Sequence, residues 1–317
     1  MRIKKPLGLL AVSMAIALSA GCSDHDGKEY KQSIQTALSK QVDIISYEFS
    51  GSGNLAQVGS LLSHDTLTQS IFGLFTSDRL EWEGKATLDP VRMEISISPV
   101  SGSSDNPISW PMLLKDNKLY MQMPMMNTKD YFMVDLGELS TITGQTSPLS
   151  ANSIRQISQT LSESLGLAVS EIEPKWFEQT EIQLEDGSKA RQIRIDIHEK
   201  NSAELSKAIG GQLPEIADKL LAGGLIGAEQ AAKWKQDSAG FTLRAPGFVA
   251  FAIDEAGFIR QQTIELTYSM GGKDQTIAFN QSFDRINEEP AFSMAEPENA
   301  HSLTDLLKLI PSLPSNN

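Results

Sequence analysis

The chain has 317 residues, a formal net charge of −13 and a single cysteine, with 40% of its residues hydrophobic and 21% charged. Such acidity repels nucleic-acid phosphates and anionic headgroups, so binding to DNA or RNA and adhesion to a membrane through a basic patch are excluded as expectations. One cysteine cannot close an internal disulfide.

The first segment, MRIKKPLGLLAVSMAIALSAGC, has a basic start in Arg2, Lys4 and Lys5 and a short apolar run from Leu9 to Leu18. Small residues Ser19, Ala20 and Gly21 then lead to Cys22. This is the layout of a secretion signal, and the run is too short to span a bilayer. The stretch LSAGC resembles a bacterial lipobox, although Ser19 stands where the usual leucine would be and Leu18 lies one position further back. The resemblance implies cleavage before Cys22, which would then carry diacylglycerol and an N-acyl chain as a membrane anchor. Residues 1–21 are therefore expected to be a signal peptide. Their removal takes away three basic side chains and no acidic ones, leaving a more acidic body. The anchor would hold that body on an extracytoplasmic face, of the cell membrane or of an outer membrane. Ser23, next to the cysteine, is not the Asp that retains lipoproteins at the inner membrane of two-membraned organisms.

Residues 22–29, the cysteine and SDHDGKE, are expected to form a short polar tether. A helix follows over Tyr30–Asp43, with Tyr30, Ile34, Ala37, Leu38 and Val42 on one face. The period then changes to two. In IISYEFSGSGNLA, RLEWEGKATLD and VRMEISIS, apolar or small residues alternate with polar ones, which is the mark of antiparallel strands with one dry face and one wet face. The alternation places Trp82, Met93 and Ile95 on the dry, concave side and Glu81, Glu83 and Glu94 in solvent. It returns in RQIRIDI, FIRQQTIELTYSM and QTIAFNQSFD, with turn residues at Asp89-Pro90, Lys115–Asn117, Glu185–Gly187, Asp254–Gly257 and Gly271-Gly272. Helical inserts are expected at Leu61–Phe75, at Ser150–Leu167, which carries Ile154, Ile157, Leu161 and Leu165, at Ser202–Leu221, which contains Pro214, and at Ala228–Gln236. Gly137–Ser150 reads as a linker or surface loop. An amphipathic tail, residues 301–317, carries Leu303, Leu306, Leu307 and Ile310.

About ten one-sided strands and several amphipathic helices in one chain bury their dry faces together if the strands form a curved antiparallel sheet with the helices in its concave face. The expected class is α+β. The lipobox, the acidic lead-in, the first helix and the stretches SYEFSGSGNLA, LEWEGKATLDPVRMEI, WPMLLKDNKLYMQMP and FAIDEAGFIRQQTIELTY together resemble the LolA/LolB/LppX-like lipoproteins and carriers. The likeness runs from about Tyr30 to about Met294 and places a half-barrel domain over residues 30–300. It implies a concave face that holds acyl chains, and it assigns a role to no residue other than Cys22.

No catalytic constellation emerges. The four histidines, His25, His64, His198 and His301, are scattered and fit neither a zinc motif nor a hydrolase triad, and no phosphate-binding glycine loop is present. The protein is expected to be no enzyme and to need no cofactor or metal. The remaining chemical question is LYMQMPMM, residues 119–126, with four methionines in six positions. Met121 and Met123 share a strand face. They can be ordinary core, a Cu(I) pair, or the adaptable wall of an apolar pocket. Trp110, Met112 and Phe132 alternate in neighbouring segments, so the expected lining is Trp82, Met93, Ile95, Trp110, Met112, Met121, Met123 and Phe132. The leading reading is an anchored envelope lipoprotein that binds or carries a lipid or acyl chain. The alternatives are a non-catalytic module that contacts or senses another envelope protein, and a copper-handling protein. Leu61–Phe75 and Leu303–Ile310 are the expected covers of the concave face.

Overall fold

A computed structural model of the chain describes residues 24–54, 79–100, 109–122, 131–136 and 151–302. The expected covers, Cys22 and Met123 lie outside the described residues, as does Gly137–Ser150. The strands form two meanders. The first comprises β1 (Ser46–Gly53), β2 (Leu80–Leu88), β3 (Val91–Pro99), β4 (Trp110–Lys115), β5 (Lys118–Gln122) and β6 (Tyr131–Asp135). The second comprises β7 (Glu178–Gln183), β8 (Lys189–Ile197), β9 (Thr242–Asp254), β10 (Ile259–Met270) and β11 (Lys273–Asp284). Antiparallel pairing of β1 with β11 joins them, and a short β12 (Ala300–Ser302) adds parallel to β6. The result is one open, curved sheet of twelve strands in the order β12-β6-β5-β4-β3-β2-β1-β11-β10-β9-β8-β7. The class is α+β, a half-barrel with helices on its concave face, and the sheet has twelve strands where the alternation gave about ten.

The expected turns make the hairpins. Asp116 and Asn117 take positive φ, as do Gly271 and Gly272. These pairs give two-residue turns whose twist matches the strands they join. Glycines also permit the bend. A Cβ on Gly51 would meet the Asn280 carbonyl at 2.5 Å and the Trp82 indole at 2.6 Å, and one on Gly53 would meet the Ala278 carbonyl at 2.7 Å. The SGSG of β1 is therefore where neighbouring backbone and an indole crowd onto the concave side.

Among the described residues, the α-helices are α1 (Asp24–Lys40), α2 (Ala151–Ser170), α3 (Ser202–Ala222) and α4 (Ala228–Asp237). The expected tether is corrected here, because residues 24–29 are already helical. Gly27 lets the first turn of α1 press against the backbone of Pro174, and packing there replaces the solvated lead-in that polarity alone implied. Ile34, Ala37 and Leu38 of α1 are at most 2% exposed. They share a core with Val169 of α2, Leu205 of α3, and Ile193, Ile195, Phe251, Ile253 and Ile259 of the second meander. Burying each large aliphatic side chain contributes about 1.5–3 kcal/mol. On α2, Leu161 is exposed, and Thr160, Ser164 and Val169 are buried. The missing Cβ of Gly223, at the end of α3, makes room for Thr160. Pro214 is accommodated inside α3.

Two polar clamps fix the second meander. Gln41, just past α1, donates to the Ile259 carbonyl and accepts from the Ile259 N–H. Arg260 is ion-paired with Asp186 and Asp284 at 2.8 Å and with Asp254 at 3.7 Å, and donates to the Phe283 carbonyl. Donation from Ser188, joined by the Arg260 guanidinium, holds the Asp186 carboxyl far below its usual range.

After β11 the chain forms a strap over the outer face of the first meander. Asn287 bonds to the start of β1, donating its N–H to the Ser46 carbonyl and accepting from the Ile45 N–H at its side-chain oxygen. Lys85 of β2 donates to the Ala291 carbonyl, and Arg92 of β3 donates to the Met294 carbonyl and covers the Phe292 ring. Lys115 and Tyr120 both bond Glu296. Residues 300 and 302 then pair with β6. This strap corrects two expectations. His301 and Ser302, assigned to an amphipathic tail, are strand. Glu94, assigned to solvent, is 4% exposed. Its carboxylate accepts from the Ser293 and Met294 N–H groups at 2.9 Å and pairs with Arg92 at 2.8 Å. Glu81 and Glu83 are exposed as expected.

Burial raises the Glu94 carboxyl, but the Ser293 and Met294 N–H groups and Arg92 outweigh it, and the net shift is downward. A carboxyl depressed by folding stabilises the protein above its unfolded-state pKa, and that contribution disappears as pH falls through the folded value. The strap should therefore loosen in acid. Amide exchange at Ser293 and Met294 should quicken as pH drops through the lower carboxylate range, after correction for intrinsic rates. Glu94→Gln should cost about 1–3 kcal/mol in urea unfolding at neutral pH and remove the acid-dependent step. Unchanged protection in that variant would show that Glu94 does not hold the strap.

Candidate functional site

The expected lining residues converge. Cross-strand register sets Phe132 of β6 opposite Met121 of β5, Met121 opposite Met112 of β4, and Met112 opposite Ile95 of β3. The row continues through Gly84 of β2 to Phe49 of β1 and Phe283 of β11. A parallel row runs Trp110–Ile97–Trp82–Gly51–Gln281–Gln262–Phe251–Ile193. Met93, two residues before Ile95 on β3, continues the same face outside the two rows, opposite Leu114 and Ala86. Paired residues share a face, so Trp82, Met93, Ile95, Trp110, Met112, Met121 and Phe132 form one wall, on the side that the helices occupy elsewhere.

The two halves of this face differ. On the second meander it is filled by α1, α2 and α3, with Ile193 and Phe251 essentially inaccessible. On the first meander, Leu114, Met121, Phe132 and Val134 are buried, while Met93, Ile95, Trp110 and Met112 are half-buried. Among the described residues, Ile154 of α2 and Leu136, just past β6, join the apolar cluster around Met121. Trp82, Ile97, Phe49 and Phe279 make a second cluster beside it, with the Trp82 and Phe279 rings 5.8 Å apart.

A polar seam separates the halves. Gln281, on the dry face, accepts from Trp82 Nε1 at 2.8 Å and donates to the Ser50 carbonyl at 3.0 Å. Gln262 stands opposite it. Sequence reading passed over both glutamines. The signal was present, since Gln281 occupies the apolar phase of Ile277, Phe279 and Phe283, and Gln262 that of Ile264, Leu266 and Tyr268. An apolar wall flanked by amides can take up a chain-like apolar body with a polar group at one end.

Among the described residues, the methionines do not assemble a soft-metal set with an imidazole. Met112 and Met121 are opposed, and His301 enters the same row beside Phe132, the rings 6.0 Å apart. The phenyl ring stands between the imidazole and Met121, two strand spacings or about 9–10 Å away along the sheet. The open grooves elsewhere are of another character. One of about 510 Å³ is lined mainly by wet-face residues, among them Ser50, Ser52, Glu83, Ser96, Asn280 and Ser282, with Gly51 and Trp82 also at its wall. Beneath the strap, the Tyr120 hydroxyl is pushed up to about 12 by burial and by its bond to the Glu296 carboxylate, which keeps it a donor at neutral pH. No helix of the described residues is long and apolar enough to cross a membrane.

No protein-family model matches the chain, and no curated protein does. Among solved structures, the chain is similar to the crystal structure of LprF from Mycobacterium bovis, at 11% sequence identity and a TM-score of 0.39, over 84% of this chain and 97% of that one.

The Trp82–Gln281 bond is the test of the seam. Trp82→Phe and Gln281→Met should each destabilise by about 1–3 kcal/mol. In a double-mutant cycle by urea unfolding they should couple by about 0.5–3 kcal/mol. Strict additivity would mean that the indole and the amide do not meet in solution.

Proposed function

We propose that this protein is an extracytoplasmic lipoprotein, anchored through acylated Cys22, that binds a lipid or acyl chain against the first-meander wall. The observation that carries the reading is the difference between the two halves of one dry face. The helices fill the second meander's half with branched aliphatic side chains, whereas on the first Met93, Trp110 and Met112 are only half-buried beside buried Met121 and Trp82. Thioethers adapt to irregular apolar shapes, and each Å² of apolar surface removed from water contributes about 25 cal/mol. The wall binds without covalent chemistry. Gln262, beside the wall, is available to hydrogen-bond a carbonyl or headgroup at one end of the chain.

Two measurements check this. Cys22→Ser should move the protein from the membrane to the soluble fraction or leave the precursor uncleaved; normal processing with retention at the membrane contradicts the anchor. Met112→Gln and Met121→Glu should reduce binding of a fluorescent fatty-acid probe at least tenfold, because an amide or carboxylate in the apolar wall costs several kcal/mol, on the order of 2–7. Leu161→Glu, on the exposed face of α2, should leave binding unchanged. If the folded Met112→Gln protein binds probe like the wild type, the wall is core packing.

A further inference from the structure

We propose that the body rests on its membrane through one defined end, built by the first turn of α1 and the Pro174–Trp176 turn, with Trp176, Lys175, Lys28 and Lys31 at headgroup level. The proposal depends on Cys22 being the acylated residue and adds to it the orientation of everything else. The sequence leaves one residue, Ser23, between Cys22 and the start of α1 at Asp24. Two residues of chain reach at most about 7 Å. The acyl chains must therefore enter the bilayer next to the helix start.

That start is not free to swing. Gly27 abuts the Pro174 backbone, and Lys31 Nζ donates to the Ile172 carbonyl at 3.1 Å. Further along the helix, Ile34, Ala37 and Leu38 are part of the main core. An anchor at the first turn thus acts on the whole domain as one body. The surface around that turn suits an interface. Trp176 is half-buried, and its indole Nε1 donates to Glu204 at 2.6 Å. Lys175 Nζ lies 4.9 Å from the indole ring and also pairs with Glu204 at 3.2 Å and with Glu173. Exposed Lys28 and half-buried Lys31 stand on α1 itself. Tryptophan and lysine, with apolar bodies and polar ends, are the side chains that settle at the level of lipid headgroups. Glu173 and Glu204, with Asp26 and Glu29 on the first turn itself, more than cancel the three lysines, so the acyl chains supply the attachment and the patch sets only the tilt. The same helix fixes the far side. Its 17 residues span about 25 Å, and at its other end Lys40 bonds the Ala256 carbonyl in the β9–β10 turn.

The test uses the acylated full-length protein, purified from membranes and reconstituted into phosphatidylethanolamine–phosphatidylglycerol vesicles. Acylation blocks Cys22, so Lys175→Cys or Glu255→Cys supplies the one free thiol for a fluorophore. Paramagnetic lipid headgroups should quench the label at 175 several-fold more than the label at 255, at the far end of α1. A flexible insertion of about eight Gly and Ser residues between Ser23 and Asp24 should abolish that difference while the protein still floats with vesicles. Equal quenching at the two positions in vesicle-bound protein overturns the orientation and leaves the anchor standing. Protein that fails to float with vesicles overturns both.

Discussion

The pairing of β1 with β11 is the constraint on which the rest of the structure depends. It brings residues 48–53 against residues 279–284 and turns two local meanders into one sheet. The pairing is steric as much as hydrogen-bonded. Gly51 and Gly53 have neighbouring carbonyls so near that a methyl group would collide, and the Trp82 indole lies over the same spot. Because β1 is bare there, the sheet can bend, and because it bends, the dry faces of both meanders look into one concavity. A larger side chain at either glycine would set curvature against the β1–β11 ladder.

Within that concavity the chain makes two kinds of interior from one alternation. The second meander is sealed by helices whose small residues allow close approach, as at Gly223 beside Thr160. The first carries large, flexible and aromatic side chains in register across five strands. Gln281 sits between, with its amide satisfied by an indole on one side and a backbone carbonyl on the other. A buried amide with its partners in place fixes which ring faces which strand; without them it would be costly.

Much of this was legible in the sequence because period-two alternation states the face of every strand residue. It put Trp82, Met93, Ile95, Trp110, Met112, Met121 and Phe132 on one wall, and the register agrees. Alternation cannot say whether another segment crosses the opposite face. Glu94 and Tyr120 fell in the polar phase, yet both are buried, because INEEPAFSMAEPENA lies over them. That segment has no period of its own; its position comes from single side chains on successive strands. On α2, Ile154 and Leu165 pack against buried clusters, but Thr160 and Ser164 are buried too where α3 comes close, and a hydrophobic count does not single them out. The lead-in at residues 24–29 looked like solvated chain because its helix is secured by Gly27 against Pro174, a tertiary contact with no local signature.

The strap also bears on how the protein avoids sticking to others while it is being made. An open sheet has two edges, and an unpaired edge is a template for another chain's strand. The β7 edge carries exposed Glu178 and Glu181, so charge guards it as soon as it forms. The β6 edge, Tyr131–Asp135, is covered by residues 300–302, which are synthesised long after it. Between those two moments, no strand among the described residues pairs with that edge. The chain's exposure to misassembly is therefore concentrated in a late interval of its biogenesis, and on one edge.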